Sequence, residues 1–344
     1  MSKKPCALLI NDIHISKDNI AEFYKNWDEA IQICKANNIS EMIVGGDLWL
    51  SRSAQTLSTL MAVRSAILKA QDGLTLIIAE GNHDLVNQEE MEGYSHIFSD
   101  YENVEIVDEF VGYDYGDNLT LWVMSYFPEN GSFIKRLNTL KQEIDKDRIN
   151  ILYIHEGIRG GLSTPSDDEL PANIFGGFDK VLVGHYHDRR TIPNTSIEYI
   201  GASRQHNFGE DEEKGYTILY SDGTTEFIKN QVNTRYKVID IELAQMDDNF
   251  IAELKEIKSD PRYKVKLRIR CAANETSAIN KQALAEQGAN KIELVTEQTE
   301  VLHADHKSIT QKFDKSGIKE EYVNFCIQKS IDNQLGLHYL EKLN

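Results

Sequence analysis

Five apolar runs in this sequence stop abruptly at clusters of Asp, His, Asn and Gly, and that repeated ending limits the folds open to the chain. Residues 6–11 lead into Asp12-Ile13-His14. Met42 to Val44 leads into Gly45-Gly46-Asp47, and Leu74 to Ala79 ends just before Gly81-Asn82-His83-Asp84. Later, residues 150–154 stop at His155-Glu156 and residues 180–183 at Gly184-His185-Tyr186-His187. Short apolar runs bounded by turn formers indicate buried strands. Between the first three, Ile20, Phe23, Trp27, Ile31 and Cys34 recur at helical spacing over residues 18–36, and a second helix is expected over 56–71. Strand–helix–strand alternation predicts an α/β layered fold. In such sheets ligands bind beyond the C-terminal ends of the strands, where all five clusters fall.

The chain has 344 residues, enough for a sizeable core and two domains. Its 41% hydrophobic and 27% charged content fits a soluble globular protein. No apolar run approaches the roughly 20 residues of a membrane span, and Ala7 to Ile10 is too short for a signal peptide. Cys6, Cys34, Cys271 and Cys326 are scattered, so neither a zinc ribbon nor a disulfide framework is expected, and the expected compartment is a reducing cytoplasm. The net charge of −18 argues against binding nucleic acid through bulk positive charge. It is still compatible with a nuclease in which metal ions or one basic face meet the phosphates.

Asp12 and His14 stand two apart at a strand end, which lets both side chains point the same way, and His185 and His187 repeat the device. Asp47 follows two glycines that allow a close turn, and Asn82 offers a neutral oxygen. Carboxylates mixed with imidazoles suit Mn, Fe or Zn better than Ca. Any one of these pieces is common by chance; five in order, each after a strand, are not. A pair of metals on an α/β scaffold points to phosphate-ester hydrolysis.

The motif series D-x-H, G-D, G-N-H-D, H and G-H-x-H resembles that of the calcineurin-like metallophosphoesterases. The resemblance implies an α/β layered metallophosphoesterase sandwich with two divalent metal ions. One would be held by Asp12, His14, Asp47 and His187, the other by Asp47, Asn82, His155 and His185, with Asp47 shared. His83 would be the catalytic histidine that protonates the leaving oxygen or stabilises the transition state, and Asp84 would orient it. Gly46-Asp47-Leu48-Trp49-Leu50-Ser51-Arg52 departs from the serine/threonine phosphatase pattern Gly-Asp-x-Val-Asp-Arg-Gly.

The SbcD-type DNA repair nucleases are the branch most resembled, including forms encoded by bacteriophages. Tyr199-Ile200-Gly201-Ala202-Ser203, Phe208-Gly209-Glu210 and Lys214-Gly215-Tyr216 are similar to that family's Y-x-G-S, F-G-E and K-G segment, with Ala202 where the family has Ser. Leu50 stands where the family often has Asp or His.

A nuclease domain is expected over residues 1–233 and a smaller α+β capping domain over 234–297. A linker and C-terminal partner-binding helices are expected over 298–344. In the capping domain, Asn274 is expected to cap a helix running to about Gln287, and Lys264, Lys266, Arg268 and Arg270 share one face of a strand, where they could meet phosphates. The resemblance implies a Mn-dependent DNA exonuclease or endonuclease acting in repair or recombination, an SbcC-type coiled-coil ATPase partner gripped by the helical tail, and a homodimer. A small-nucleotide phosphodiesterase and a DNA-end-binding scaffold with vestigial hydrolysis are the rival readings.

Overall fold

The computed structural model describes residues 3–71, 73–162 and 169–296, together with Tyr322, Val323 and Cys326. Strands β1 (Pro5–Ile10), β2 (Glu41–Gly45), β3 (Thr75–Ala79) and β4 (Val104–Val107) pair in parallel. A second sheet contains β5 (Phe110–Tyr115), β6 (Leu119–Met124), β7 (Ile149–His155), β8 (Lys180–Gly184), β9 (Arg190–Thr191) and β10 (Ile197–Tyr199), in the order β5-β6-β7-β8-β10-β9. The chain then returns to the first sheet, where β11 (Gly215–Tyr220) lies antiparallel to β1 and β12 (Thr225–Lys229) antiparallel to β11. Both sheets are therefore mixed.

Alternation along each strand sorts the core into layers. Ala7 and Leu9 of β1 point inward, with Ile43 and Ile77, against Leu121, Val123, Ile151 and Leu182 of the other sheet. Leu8 and Ile10 point outward and meet α1 (Ile20–Asn37) and α2 (Leu57–Ala70) through Phe23, Trp27, Ala62 and Ile67. The Trp27 indole donates to the Ala66 carbonyl at 3.0 Å, locking the two helices together. On the far side, α3 (Phe133–Leu140) packs Phe133 and Leu137 on Leu152 and Val181. The result is a helix–sheet–sheet–helix sandwich, the α/β layering expected.

Strands β4, β5 and β6 and helix α3 were not anticipated from the sequence. The edge strands β4 and β5 are only half buried, so neither shows a long apolar run in the sequence.

The chain divides into two compact units. One comprises the described residues up to Lys237 with Pro261–Lys264; the other comprises Val238–Asp260 and the described residues from Val265 onward. The second unit holds all but the first residues of β13 (Arg235–Glu242) and β14 (Tyr263–Arg270), together with α4 (Asp248–Ser259), α5 (Lys281–Gln287) and β15 (Ala289–Val295), with β14 central in the sheet. Val265, Leu267 and Ile269 pack on Phe250, Leu254 and Leu284.

One expectation is corrected here. Helix α5 begins late: Asn280 is its N-cap, accepting from Ala283 N at 3.0 Å, while 276–278 form a separate tight turn. Asn274 caps nothing, because the Glu275 carboxylate turns back to accept from Ala272 N at 2.9 Å and the chain folds on itself before the helix. The basic face of β14 is also matched internally. Lys266 pairs with Glu293, and Arg268 pairs with Asp240 at 3.2 Å and with Glu293 at 3.6 Å. The linker and helical tail expected over 298–344 lie outside the described residues, except that Tyr322, Val323 and Cys326 are helical.

Candidate metal centre

Six described non-glycine residues have left-handed backbone, and four of them are Asp12 (φ 51°), His14 (φ 48°), Asp47 (φ 54°) and His185 (φ 83°). Side chains rarely tolerate this region, so its use four times in one place marks a strained, over-determined site. The loops are held by backbone bonds between neighbouring motifs: Asp12 N donates to Gly46 O at 3.1 Å and His14 N to Asp47 O at 2.9 Å. Glycine is required at two contact points. A Cβ on Gly46 (φ 100°) would overlap the His155 ring, and one on Gly81 would overlap Asp47 Oδ1 and its amide nitrogen.

The seven expected donors lie at the ends of strands from both sheets. His14 Nε2 lies 3.1 Å from His187 Nε2, 3.5 Å from Asp47 Oδ2 and 4.0 Å from Asp12 Oδ1, and His187 Nε2 lies 3.8 Å from Asp12 Oδ1. Donors bound at roughly 2.1 Å to one ion lie about 3–4 Å apart, so Asp12, His14 and His187 have the spacing of a coordination sphere, with Asp47 set against its His14 side. Asp47 Oδ2 also lies 3.3 Å from His155 Nε2, placing it between two groups. In the second group, His185 Nδ1 and Asn82 Oδ1 are 3.1 Å apart.

Tautomers support the same chemistry. Nδ1 donates to a carbonyl or carboxylate in His14 (Trp49 O, 3.4 Å), His155 (Gly45 O, 3.1 Å) and His187 (Glu210 Oε1, 2.9 Å). Each Nε2 is thereby turned inward, toward the other donors, and is the atom a cation would take in place of a proton. Among the described residues, the buried Asp12 Oδ1 has no hydrogen-bond partner and the buried His155 Nε2 has only the ion-pair approach to Asp47, a costly state unless a cation completes them. The donor set therefore fits divalent metal ions. Burial raises the Asp47 carboxyl, but the charges of His155 and His14 overcome it and hold Asp47 below the usual carboxylate range. Burial lowers His155, yet Asp47 and Asp12 outweigh it and bring the imidazole to about 9. Burial, helped by His155, takes His185 down to about 4.

His83 is half buried, its ring 5.0 Å from that of His14, and its Nδ1 donates to Leu50 O at 2.7 Å. Asp84 does not orient it, contrary to expectation. Its fully buried carboxylate accepts from Asp47 N (2.8 Å), Gly81 N (2.7 Å) and Trp49 N (2.9 Å), bracing the loop that carries Asp47. Leu50, noted for lacking an Asp or His side chain, holds His83 through its main chain instead. Sequence reasoning gave no site role to Asn11, which donates to Asp12 Oδ2, or to His206 and Glu210. The Phe208-Gly209-Glu210 match was the available signal for the last.

No family model matches the chain. Among curated proteins, one of Invertebrate iridescent virus 6 described as a phosphoesterase, 244L, is 24% identical over 281 residues, covering 78% of this chain and 94% of that protein. The SbcD component of the nuclease SbcCD of Staphylococcus saprophyticus is 24% identical over 219 residues; the match covers 56% of this chain and spans 58% of that protein's length. Of solved structures, the Pseudomonas putida nuclease MPE aligns at 18% identity over 53% of this chain and 62% of its own, with TM-score 0.29. A dimetal phosphatase from Danio rerio aligns at 10% identity over 56% of this chain and 85% of its own, with TM-score 0.39.

Sandwich, motif order and converging donors define a metal-dependent phosphoesterase. With the SbcD-type relative, they place the chain in the calcineurin-like metallophosphoesterase superfamily.

Proposed function

We propose that this protein is a Mn-dependent DNA nuclease, the SbcD-like subunit of a double-strand-break repair or recombination complex. The observation that carries this beyond phosphoester hydrolysis is the alignment with the SbcD component of the nuclease SbcCD over 219 residues. Asp12, His14, Asp47 and His187 would hold one divalent ion, and Asp47, Asn82, His155 and His185 the other. Bound there, such ions acidify water and screen the charge that develops on the phosphate. Mn suits the mixture of carboxylate, imidazole and amide oxygen.

The chain's own residues divide the remaining work. His83 keeps one proton on Nδ1, against the Leu50 carbonyl, so Nε2 is the atom that delivers a proton to the leaving oxygen. Asp84 is a positioning residue for Asp47. The smaller unit acts as a capping domain toward DNA, and the chain beyond residue 297 grips an SbcC-type coiled-coil ATPase, which brings an acidic protein to its substrate.

The purified chain with Mn should cleave single- or double-stranded DNA, and His83→Ala should lose most of that activity. Cleavage indifferent to the substitution would sink the role of His83. Rapid turnover of a small phosphodiester beside no DNA cleavage would favour a small-nucleotide enzyme. A chain ended before Lys319 should lose the ATPase partner; retained binding would refute the docking role.

A further inference from the structure

One short segment, Arg204 to Glu210, touches every donor of the first metal group except Asp47. Glu210 Oε1 accepts from His187 Nδ1 at 2.9 Å, while Glu210 Oε2 accepts from the His206 amide at 3.0 Å. The His206 ring reaches back, and its Nε2 donates to the Asp12 carbonyl at 2.8 Å. The buried Arg204 guanidinium donates to the carbonyls of Ile13 at 3.0 Å and His14 at 3.4 Å. Gln205 closes the segment on itself by donating to Glu210 O at 2.9 Å and accepting from Tyr236 N at 2.8 Å. The backbone carbonyls it holds at Asp12 and His14 belong to residues with left-handed φ, which need outside support to persist.

Among the described residues, no hydrogen bond from this segment reaches Asn82, His155 or His185. That second group is braced by other means: His155 by the Gly45 carbonyl at 3.1 Å, and the Asn82 backbone by Gln88 at 3.0 Å. We infer that residues 204–210 form a positioning strap that sets the affinity of one metal position, the one built on Asp12, His14 and His187, and leaves the other unchanged. Glu210 and His206 are its principal members: one fixes the tautomer and ring of His187, and the other fixes the backbone of Asp12. The inference rests on the two-metal reading above.

The test is Mn(II) titration of the full chain followed by electron paramagnetic resonance, comparing wild type with Glu210→Gln and His206→Ala. Wild type should take up two ions. Each variant should bind one with unchanged affinity and the other at least tenfold more weakly, the usual effect of removing a ligand's supporting partner. Glu210→Asp, which keeps a carboxylate, should recover part of the loss, and the metal-free melting temperatures should stay close together. Two ions bound at wild-type affinity in both variants, or equal weakening of both ions, would overturn the strap. A wild type that binds no Mn would instead overturn the metal reading, and the strap with it.

Discussion

Asp84 offers the sharpest separation of bracing from catalysis. Its carboxylate sits at 0% exposure and accepts three backbone N–H bonds from two loops. In Asp84→Asn, the amide oxygen can still serve Asp47 N and Gly81 N, but the new NH2 faces the Trp49 donor. The Trp49 N–H is then buried without an acceptor, at a cost of about 1–3 kcal/mol, and the two remaining bonds lose their charge assistance, about 1 kcal/mol each. Burial and the nearby Asp47 and Glu80 raise the Asp84 carboxyl, so neutralising it returns part of that cost. A net loss of about 2–3 kcal/mol remains. For a unit of this size, that lowers the melting temperature by roughly 5–10 °C. The assay is thermal unfolding in EDTA at neutral pH, with His83→Ala alongside. His83→Ala should change little, since its ring is half exposed and makes one hydrogen bond. If Asp84→Asn melts within about 1 °C of wild type while activity falls, Asp84 acts on His83 and the bracing account is wrong.

Other expectations follow from the same geometry. Burial raises Glu22, but bonds from Thr234 N, Asn233 and Lys25 overcome it and bring the carboxyl to about 2. A depressed folded pKa stabilises above the unfolded value near 4.5 and is lost as pH falls toward 2. Glu22→Gln should therefore be less stable at pH 7 by about 1 kcal/mol, after discounting for partial exposure, and the gap should close between those two pH values in acid unfolding curves. Gly81→Ala should cost about 1–3 kcal/mol or more and abolish metal-dependent activity, because backbone nitrogen is among the atoms its Cβ meets; an active variant with a normal melting temperature would contradict that. Stripping divalent metal should lower the melting temperature by several degrees, since the buried Asp12 Oδ1, which has no hydrogen-bond partner among the described residues, and the imidazoles crowded around it lose a neutralising cation, and re-addition of Mn should restore it.

The strand-ending clusters were legible because spacing and glycine placement survive in a one-dimensional string. Gly46 and Gly81 announce close approaches, and Asp12-x-His14 announces a shared face. What sits behind the donors was not legible. Nothing local distinguishes Asp84 as a loop brace from Asp84 as a partner of the adjacent histidine; the distinction depends on Asp47 and Trp49, 37 and 35 residues away. His206 reaches Asp12 across 194 residues. Left-handed backbone at Asp12, His14, Asp47 and His185 is also invisible, since no residue there advertises it. Helix α5 shows the local counterpart: Asn274 and Asn280 are equally good caps by type, and only the fold-back made by Glu275 selects the later one.

The inner faces of the two sheets are joined by hydrocarbon contact around Leu9, Ile43, Ile151 and Leu182. The metal donors straddle the same seam: Asp12, His14, Asp47 and Asn82 ride on one sheet, and His155, His185 and His187 on the other. A cation held there is a rivet at one end of a greasy joint. Loosening the joint at its middle is felt at the rivet, so trimming Leu9 or Leu182 would register as weaker ion retention even though neither side chain is a donor. Conversely, a loaded site clamps the sandwich shut and slows its opening. With ions bound as proposed, their retention would be a gauge of how tightly the two sheets are pressed together.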